Sequence, residues 1–393
     1  MLLSLALILL VALVLNGILV KLKLPGLLGM IATGIILGPF VLNLIAPEIL
    51  AISADLRQIA LIVILIRAGL SLDINDLKRV GRPAILMCFV PATLEITAIT
   101  LLAPLLLGIS YIEAAILGAV VAAVSPAVVV PRMIRLIDQG YGKKHSIPQL
   151  VMAGASVDDI YVIVLFASFM DMYKGAGFNA SNLLRVPISI ALGIVFGIGV
   201  GWLLVTLFKQ LHLRDTVKVL IILSTAFVMI FIEELVKPYV PISGLLAIMA
   251  LGGTILATYD VLAIRMKQKF SKIWVGAEII LFVLVGAAVD ITYIPQAGLG
   301  AVLLIFIALG ARMLGVAISV TGTQLTTKER LFSAIAYLPK ATVQAAIGSI
   351  PLTQGVEAGN TILVVAVLAI IITAPIGAIG IDRGYQVLLD GPE

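Results

Sequence analysis

The stretch Ala155-Ser156-Val157-Asp158-Asp159-Ile160 sets two adjacent carboxylates in the middle of an apolar run from about Ile147 to Tyr173. A run of that length, rising about 1.5 Å per helical residue, crosses a hydrocarbon core of about 30 Å. An ionisable residue at that depth costs roughly 2.5–3.5 kcal/mol on insertion scales, so a pair is kept only where it has partners or faces water. Two readings are open at this point. The pair is either structural, satisfied by neighbouring helices, or a site that handles charge.

The rest of the composition fits a membrane setting. Of 393 residues, 62% are hydrophobic and 12% charged, and the mean hydropathy is +1.22. Soluble domains carry about 25% charge, so the chain reads as an all-α polytopic membrane protein. The single cysteine, Cys88, excludes an intrachain disulfide and lies in an apolar run where packing accounts for it. Met1 leads straight into an apolar segment without a basic n-region or cleavage site, so no signal peptide is expected. No polar stretch is long enough to hold a soluble domain.

Hydrophobic patterning predicts thirteen spans, near 2–21, 25–45, 57–72, 82–107, 112–132, 147–173, 183–208, 216–235, 242–258, 273–292, 298–322, 329–353 and 360–382. Nineteen of the 26 basic residues then fall on one side of the bilayer and four on the other. That bias marks the cytoplasmic side. The expectation is N-out and C-in, in a cell (inner or plasma) membrane. The formal charge of +5 is then a topology signal rather than a nucleic-acid footprint. Three basic residues remain within spans. Arg67 is near the inner end of its helix and can snorkel, whereas Arg312 and Lys340 are near mid-span. The intramembrane acids are Glu95, Asp158, Asp159 and Glu278, with Asp290 near an outer end.

Two spans carry a helix breaker near mid-depth: Val124-Ser125-Pro126 in one and Leu338-Pro339-Lys340 in the other. Each is the middle span of three, and the two triplets start on opposite sides of the membrane. Antiparallel triplets with broken central helices are the pattern of inverted-repeat transporters, whose sites lie at the midplane. The opening helices of the triplets carry Glu95 and Arg312, both about fourteen residues in. A pseudo-twofold axis would bring them together as a buried ion pair. For Lys340 the favoured role is offsetting the negative ends of two half-helices; the alternative is a pair with one Asp of the central motif.

The residues Ser125-Pro126-Ala127-Val128-Val129-Val130-Pro131, the turn Gly140-Tyr141-Gly142, the Asp158-Asp159 pair and Leu338-Pro339-Lys340-Ala341-Thr342-Val343-Gln344-Ala345-Ala346-Ile347-Gly348 together resemble the NHA branch of the monovalent cation/proton antiporters. Gly29–Pro39, Arg67–Asp73 and Ile372–Gly377 add to the likeness, which runs over nearly the whole chain. The resemblance implies a homodimer in which a core moves against a scaffold. By that analogy residues 1–81 and 214–292 form the scaffold, 82–173 and 298–383 the core, and 183–208 a linker helix. It also implies Asp159 as the main ligand for Na⁺ or Li⁺ and Asp158 as its partner in ion or proton handling. The Glu95/Arg312 pair matches the NHA branch; many relatives in the wider superfamily place a lysine where this chain has Arg312. Animal members have a longer charged N-terminal region, so regulation through it is not carried over.

The residues supply a mechanism of their own. A low-dielectric cavity favours the neutral form of a carboxylate, and carboxylate oxygens suit hard cations. Proton and cation competing for one carboxylate is sufficient for obligate exchange. Successive helical residues differ by about 100° in direction, so the expectation sets Asp159 toward the broken helices and Asp158 toward the cavity mouth. Ser125 and carbonyls freed near Pro126 and Pro339 would complete the ligands. No cofactor is implied, and the chain is not read as an enzyme. The rival readings are a K⁺/H⁺ antiporter or a sodium-coupled organic anion transporter on the same fold. An intramembrane aspartyl protease needs two carboxylates face to face, which neighbours on one helix are not. A non-transporting structural or sensor protein would leave the paired breaks unexplained.

Overall fold

The structure, a computed structural model, describes residues 1–22, 24–71, 81–176, 180–211, 213–236, 239–240, 242–290, 292 and 294–391. Lys23, Lys78, Arg79 and Lys237 of the charge count, and Leu72-Asp73 of the Arg67 motif, lie outside them. All elements among the described residues are helical. The first nine are α1 (Leu2–Lys21), α2 (Leu27–Leu37), α3 (Pro47–Ala51), α4 (Ser53–Gly69), α5 (Arg82–Met87), α6 (Val90–Leu107), α7 (Tyr111–Ala122), α8 (Pro126–Gln139) and α9 (Ile147–Asp171). The remainder are a π-helical turn (Met172–Ala176) that follows α9, then α10 (Ala180–Gln210), α11 (Asp215–Val236), α12 (Gly244–Thr258), α13 (Asp260–Ala287), α14 (Ile294–Ser319), α15 (Thr327–Ala336), α16 (Thr342–Ile347), α17 (Ile350–Thr353) and α18 (Gly359–Leu388).

Nine helical stretches among the described residues are long and apolar enough to cross a membrane, and α2 and α12 are shorter apolar helices. Several differ in extent from the spans read off the sequence, the second and the tenth among them. The segment expected to run from 25 to 45 is helical only to Leu37, because Pro39 disfavours helical geometry at Gly38, whose ψ is 174°. The chain then folds back, with Leu44 N–H donating to the Leu37 carbonyl at 2.9 Å. Conversely, the span expected at 273–292 belongs to a 28-residue helix that begins at Asp260. Its first half carries Arg265, Lys267, Lys269 and Lys272, residues that hydropathy assigns to a loop.

Contacts divide the chain into two units: Met1–Ala54, Ile74–Lys174 and Leu281–Glu393 in one, Asp55–Asp73 and Gly175–Ile280 in the other. Both triplets fall in the first unit, together with α1 to α3. In the second, α10 packs along α12 through a small-residue stripe: a Cβ on Gly193 would meet the Ser243 carbonyl, one on Gly197 the Ala247 carbonyl and one on Gly201 the Thr254 side chain. Small residues let helix backbones approach where lipid offers no hydrophobic drive.

The two half-helices that open the broken spans start in the same way. Ser110 accepts from Glu113 N–H at 3.4 Å while Ser110 N–H donates to Glu113 Oε2 at 2.9 Å. Thr326 and Glu329 repeat this capping box at 3.3 and 2.7 Å. Within the first unit α2 crosses the end of α13 at Gly34 and Gly286, where an added methyl would land on the carbonyls of Val283 and Ile31. Gly34→Ala is expected to destabilise by about 1–3 kcal/mol through overpacking, read as a lower thermal midpoint in detergent. Gly310→Ala, which meets nothing within 4 Å, is the control and should leave that midpoint unchanged or higher.

Candidate functional site

The first helix break is set by Pro126. Proline biases the preceding residue away from helical geometry and starts a helix well. So α7 ends at Ala122, Ala123-Val124-Ser125 run extended, and Pro126 is the first residue of α8. In the second triplet Pro339 lies inside the break rather than at a helix start: Tyr337–Ala341 are non-helical between α15 and α16, which begins at Thr342. The two breaks meet, with Ser125 N–H donating to the Pro339 carbonyl at 2.8 Å.

A helix leaves its last carbonyls without partners, and here buried side chains take them. Gln344 Nε2 donates to the Val121 and Ala123 carbonyls at 2.9 and 2.8 Å. The Ala122 carbonyl accepts from Lys340 Nζ at 3.1 Å and from Arg312 Nη1. At the end of α15, the Tyr337 carbonyl accepts from Arg312 Nε at 2.8 Å. Both cations therefore sit at negative helix ends, where the helix dipole favours them.

The acids arrive from α6 and α9. Helices α6 and α14 run antiparallel: a Cβ on Gly315 would lie 2.5 Å from Pro91 Cα, and one on Gly300 2.6 Å from the Leu106 carbonyl oxygen. That register sets Glu95 beside Arg312, and Arg312 Nη1 lies 2.8 Å from Glu95 Oε2. Arg312 Nη2 reaches Asp158 Oδ2 at 2.7 Å, and Lys340 Nζ reaches Glu95 Oε2 at 2.6 Å. Glu95, Asp158, Arg312 and Lys340 are all fully buried. The Tyr337 ring lies 5.3 Å from the guanidinium carbon and closes one side of the cluster.

Asp158 and Asp159 part company. Asp158 Oδ2 also accepts from Val124 N–H at 2.8 Å, so Asp158 is the residue held against the first helix break. Asp159 is the more accessible of the two and makes no ion pair among the described residues. This corrects the expectation for Asp158, which the sequence reading sets toward the cavity mouth and the structure holds against the first break. Lys340 pairs with Glu95 rather than with either Asp. The bond between Arg312 and Asp158, the Gln344 clamp and the Thr373 hydroxyl that accepts from Lys340 N–H at 2.9 Å are site features that sequence reasoning missed. Gln344 and Thr373 both lie in motif strings that carried the family resemblance, but nothing in residue type or spacing gave them these partners.

Two acids are thus matched by two cations, and Asp159 is left over. Several buried oxygens here have no partner, among them Ser125 Oγ, Asp158 Oδ1, Asp159 Oδ1 and Gln344 Oε1. An unsatisfied buried polar group costs about 1–3 kcal/mol, which a hard cation or water would relieve. The oxygen-only donor set suits an alkali-metal ion. Arg312→Gln strands the Asp158 carboxylate and half of the Glu95 pairing. It is expected to destabilise the protein by about 3–5 kcal/mol, read as a lower thermal midpoint, and Arg312→Gln with Asp158→Asn should recover part of that loss.

Residues 5–383 match the family described as "Sodium/hydrogen exchanger, transmembrane". The chain is 34% identical over 366 residues to sodium/hydrogen exchanger 9B2 of Mus musculus, covering 91% of this chain and 67% of the relative. It is 33% identical over 371 residues to the Homo sapiens protein of that name, covering 91% and 68%. Among solved structures, the sodium proton antiporter MjNhaP1 from Methanocaldococcus jannaschii at pH 8 superposes with a TM-score of 0.86 at 20% identity, over 98% of this chain and 97% of that one. That likeness establishes a helical, polytopic antiporter fold. The chain therefore belongs to the sodium/hydrogen exchangers of the monovalent cation/proton antiporter superfamily: a multi-pass membrane transporter that uses no cofactor and is not an enzyme.

Proposed function

We propose that this exchanger swaps cytoplasmic Na⁺ or Li⁺ for H⁺ by alternating access, with proton and cation competing for Asp159. The observation that carries the reading is that the buried cluster compensates Glu95 and Asp158 and leaves Asp159 without a cation. An uncompensated carboxylate beside a low-dielectric core is costly to keep ionised and empty. Protonated, or holding a monovalent cation, it is neutral and can pass a hydrophobic gate. Asp158 supports the site by lending Oδ1 and by fixing Arg312 and Val124 around it, and Ser125 Oγ, buried at the first break without a partner, is the neutral ligand. Pro126 and Pro339 maintain the breaks that expose these groups.

In this proposal the six spans of the two triplets are the moving core, the remaining spans form a scaffold and a linker, and the protein works as a homodimer. Thirteen spans are proposed, N-out and C-in: α2, α4, α12 and the broken segment Thr327–Thr353 are taken with the nine longer stretches, and the orientation rests on the distribution of basic residues. The stoichiometry is electroneutral. Arg312 does not deprotonate, and Asp158 is held in its ion pair, so one carboxylate takes either one proton or one monovalent cation.

Two measurements test this in proteoliposomes. Asp159→Asn should abolish pH-driven Na⁺ and Li⁺ flux while retaining the wild-type thermal midpoint; flux at the normal rate would remove Asp159 from the mechanism. Exchange by the wild-type protein should be the same at every clamped membrane potential, and a voltage-dependent rate would rule out electroneutral exchange.

A further inference from the structure

At one end of the first unit, away from the buried cluster, His145, Glu329 and Asp390 bring one imidazole nitrogen and two carboxylate oxygens within 4.8 Å of one another. His145 lies in the turn between α8 and α9, Glu329 in the first turn of α15 and Asp390 just beyond α18. Glu329 is 1% exposed; its Oε2 completes the Thr326 capping box and its Oε1 lies 2.8 Å from His145 Nδ1.

The other triplet shows what packing alone requires at this place. There Glu113 Oε2 completes the matching box, and its Oε1 accepts a plain backbone N–H from Ala358, the residue before α18. In the second box the same oxygen meets an imidazole two residues before α9, with a second carboxylate alongside. The turn that aims His145 holds left-handed backbone at Gly140, Gly142 and the non-glycine Ser146, the last at φ 51°. Such conformations persist where the surroundings enforce them. Here Gly142 N–H donates to the Asp390 carbonyl at 3.0 Å, and Tyr141 packs edge-on against Tyr385 at 4.8 Å. The C-terminal segment is thus fastened to the turn that presents the histidine.

We propose that His145, Glu329 and Asp390 bind a divalent first-row transition ion of the Zn²⁺ type, which joins the α8–α9 turn, the start of α15 and the segment after α18. A neutral imidazole and two carboxylates give a net charge that a divalent ion cancels, and mixed nitrogen and oxygen ligands favour such an ion over Mg²⁺ or Ca²⁺. Tetrahedral ligands around zinc are about 3.4 Å apart, so exposed Asp390 has at most about 1.5 Å to close. The fourth position is left to water. Lys143, Lys144 and Lys328 are neighbours in sequence whose charge opposes the ion, but all three are exposed and screened.

The test uses full-length, tag-free protein in detergent, titrated with ZnCl₂ by calorimetry and by thermal midpoint. The wild type should bind one Zn²⁺ saturably and gain midpoint. His145→Ala and Asp390→Asn should each weaken binding at least tenfold, and His145→Cys, which keeps a ligand, should retain it. Mg²⁺ and Ca²⁺ should leave the midpoint unchanged. Absence of saturable Zn²⁺ binding by the wild type, or equal binding by His145→Ala and Asp390→Asn, would overturn the proposal.

Discussion

The first unit is organised around a guanidinium that cannot release its proton. Arg312 donates to carbonyls at both helix breaks, those of Ala122 and Tyr337, and to carboxylates from two further helices, Glu95 and Asp158. Five helical segments are thereby tied to one planar group. Each partner is costly to bury alone, and the cluster is tolerable only because every charge in it is met by another or by a helix end. Lysine could not replace it without loss. An ammonium is a compact point charge with three donors and cannot span both breaks and two acids in the way a five-donor fork does.

That constraint also separates the two aspartates. Neighbours on a helix point about 100° apart, so once α9 is docked with Asp158 between Arg312 and Val124 N–H, Asp159 is directed elsewhere. The docking is specific, because Asp158 Oδ2 has two donors to satisfy and a half-turn of α9 would leave both unpaired. A motif that looks like two equivalent acids therefore holds two unlike groups. One is held in an ion pair with Arg312, and the other makes no ion pair among the described residues. The ion chemistry proposed for Asp159 follows from what Arg312 has already consumed.

Much of this was legible in the sequence. Proline chemistry at Pro126 and Pro339 locates both breaks, since the cause is local and steric. The placement of Glu95 and Arg312 at equal depth in opposed triplets also follows from spacing alone, and the structure brings the two together at 2.8 Å. The rotational setting of α9 was not legible. It depends on which carboxylate the guanidinium reaches, a three-dimensional fact that residue spacing does not encode. For Lys340 the sequence offers two roles, a cation for helix ends or for an Asp. It lies at the Ala122 carbonyl and pairs with Glu95, a partner from another helix that neither reading named. Ser110-Tyr111-Ile112-Glu113 and Thr326-Thr327-Lys328-Glu329 are both capping boxes, 216 positions apart, and mark the inverted repeat as clearly as the prolines do.

The same offset exposes where the repeats stop being equivalent. Val124 and Lys340 are also 216 positions apart, and each lies within a helix break with a backbone N–H in need of an acceptor. In both repeats the acceptor comes from the third helix of the triplet: Asp158 for Val124 and Thr373, 215 positions later, for Lys340. The structural task is the same, and a neutral hydroxyl performs it in the second repeat. A carboxylate in the first repeat therefore cannot be explained by the N–H alone. It is the charge that Arg312 requires, and Arg312 itself belongs to the second repeat, at the position where the first has Glu95. Each repeat thus supplies what the other lacks. Since only the first places an acid beside its acceptor residue, the proposed ion site falls once per chain, next to one of the two breaks.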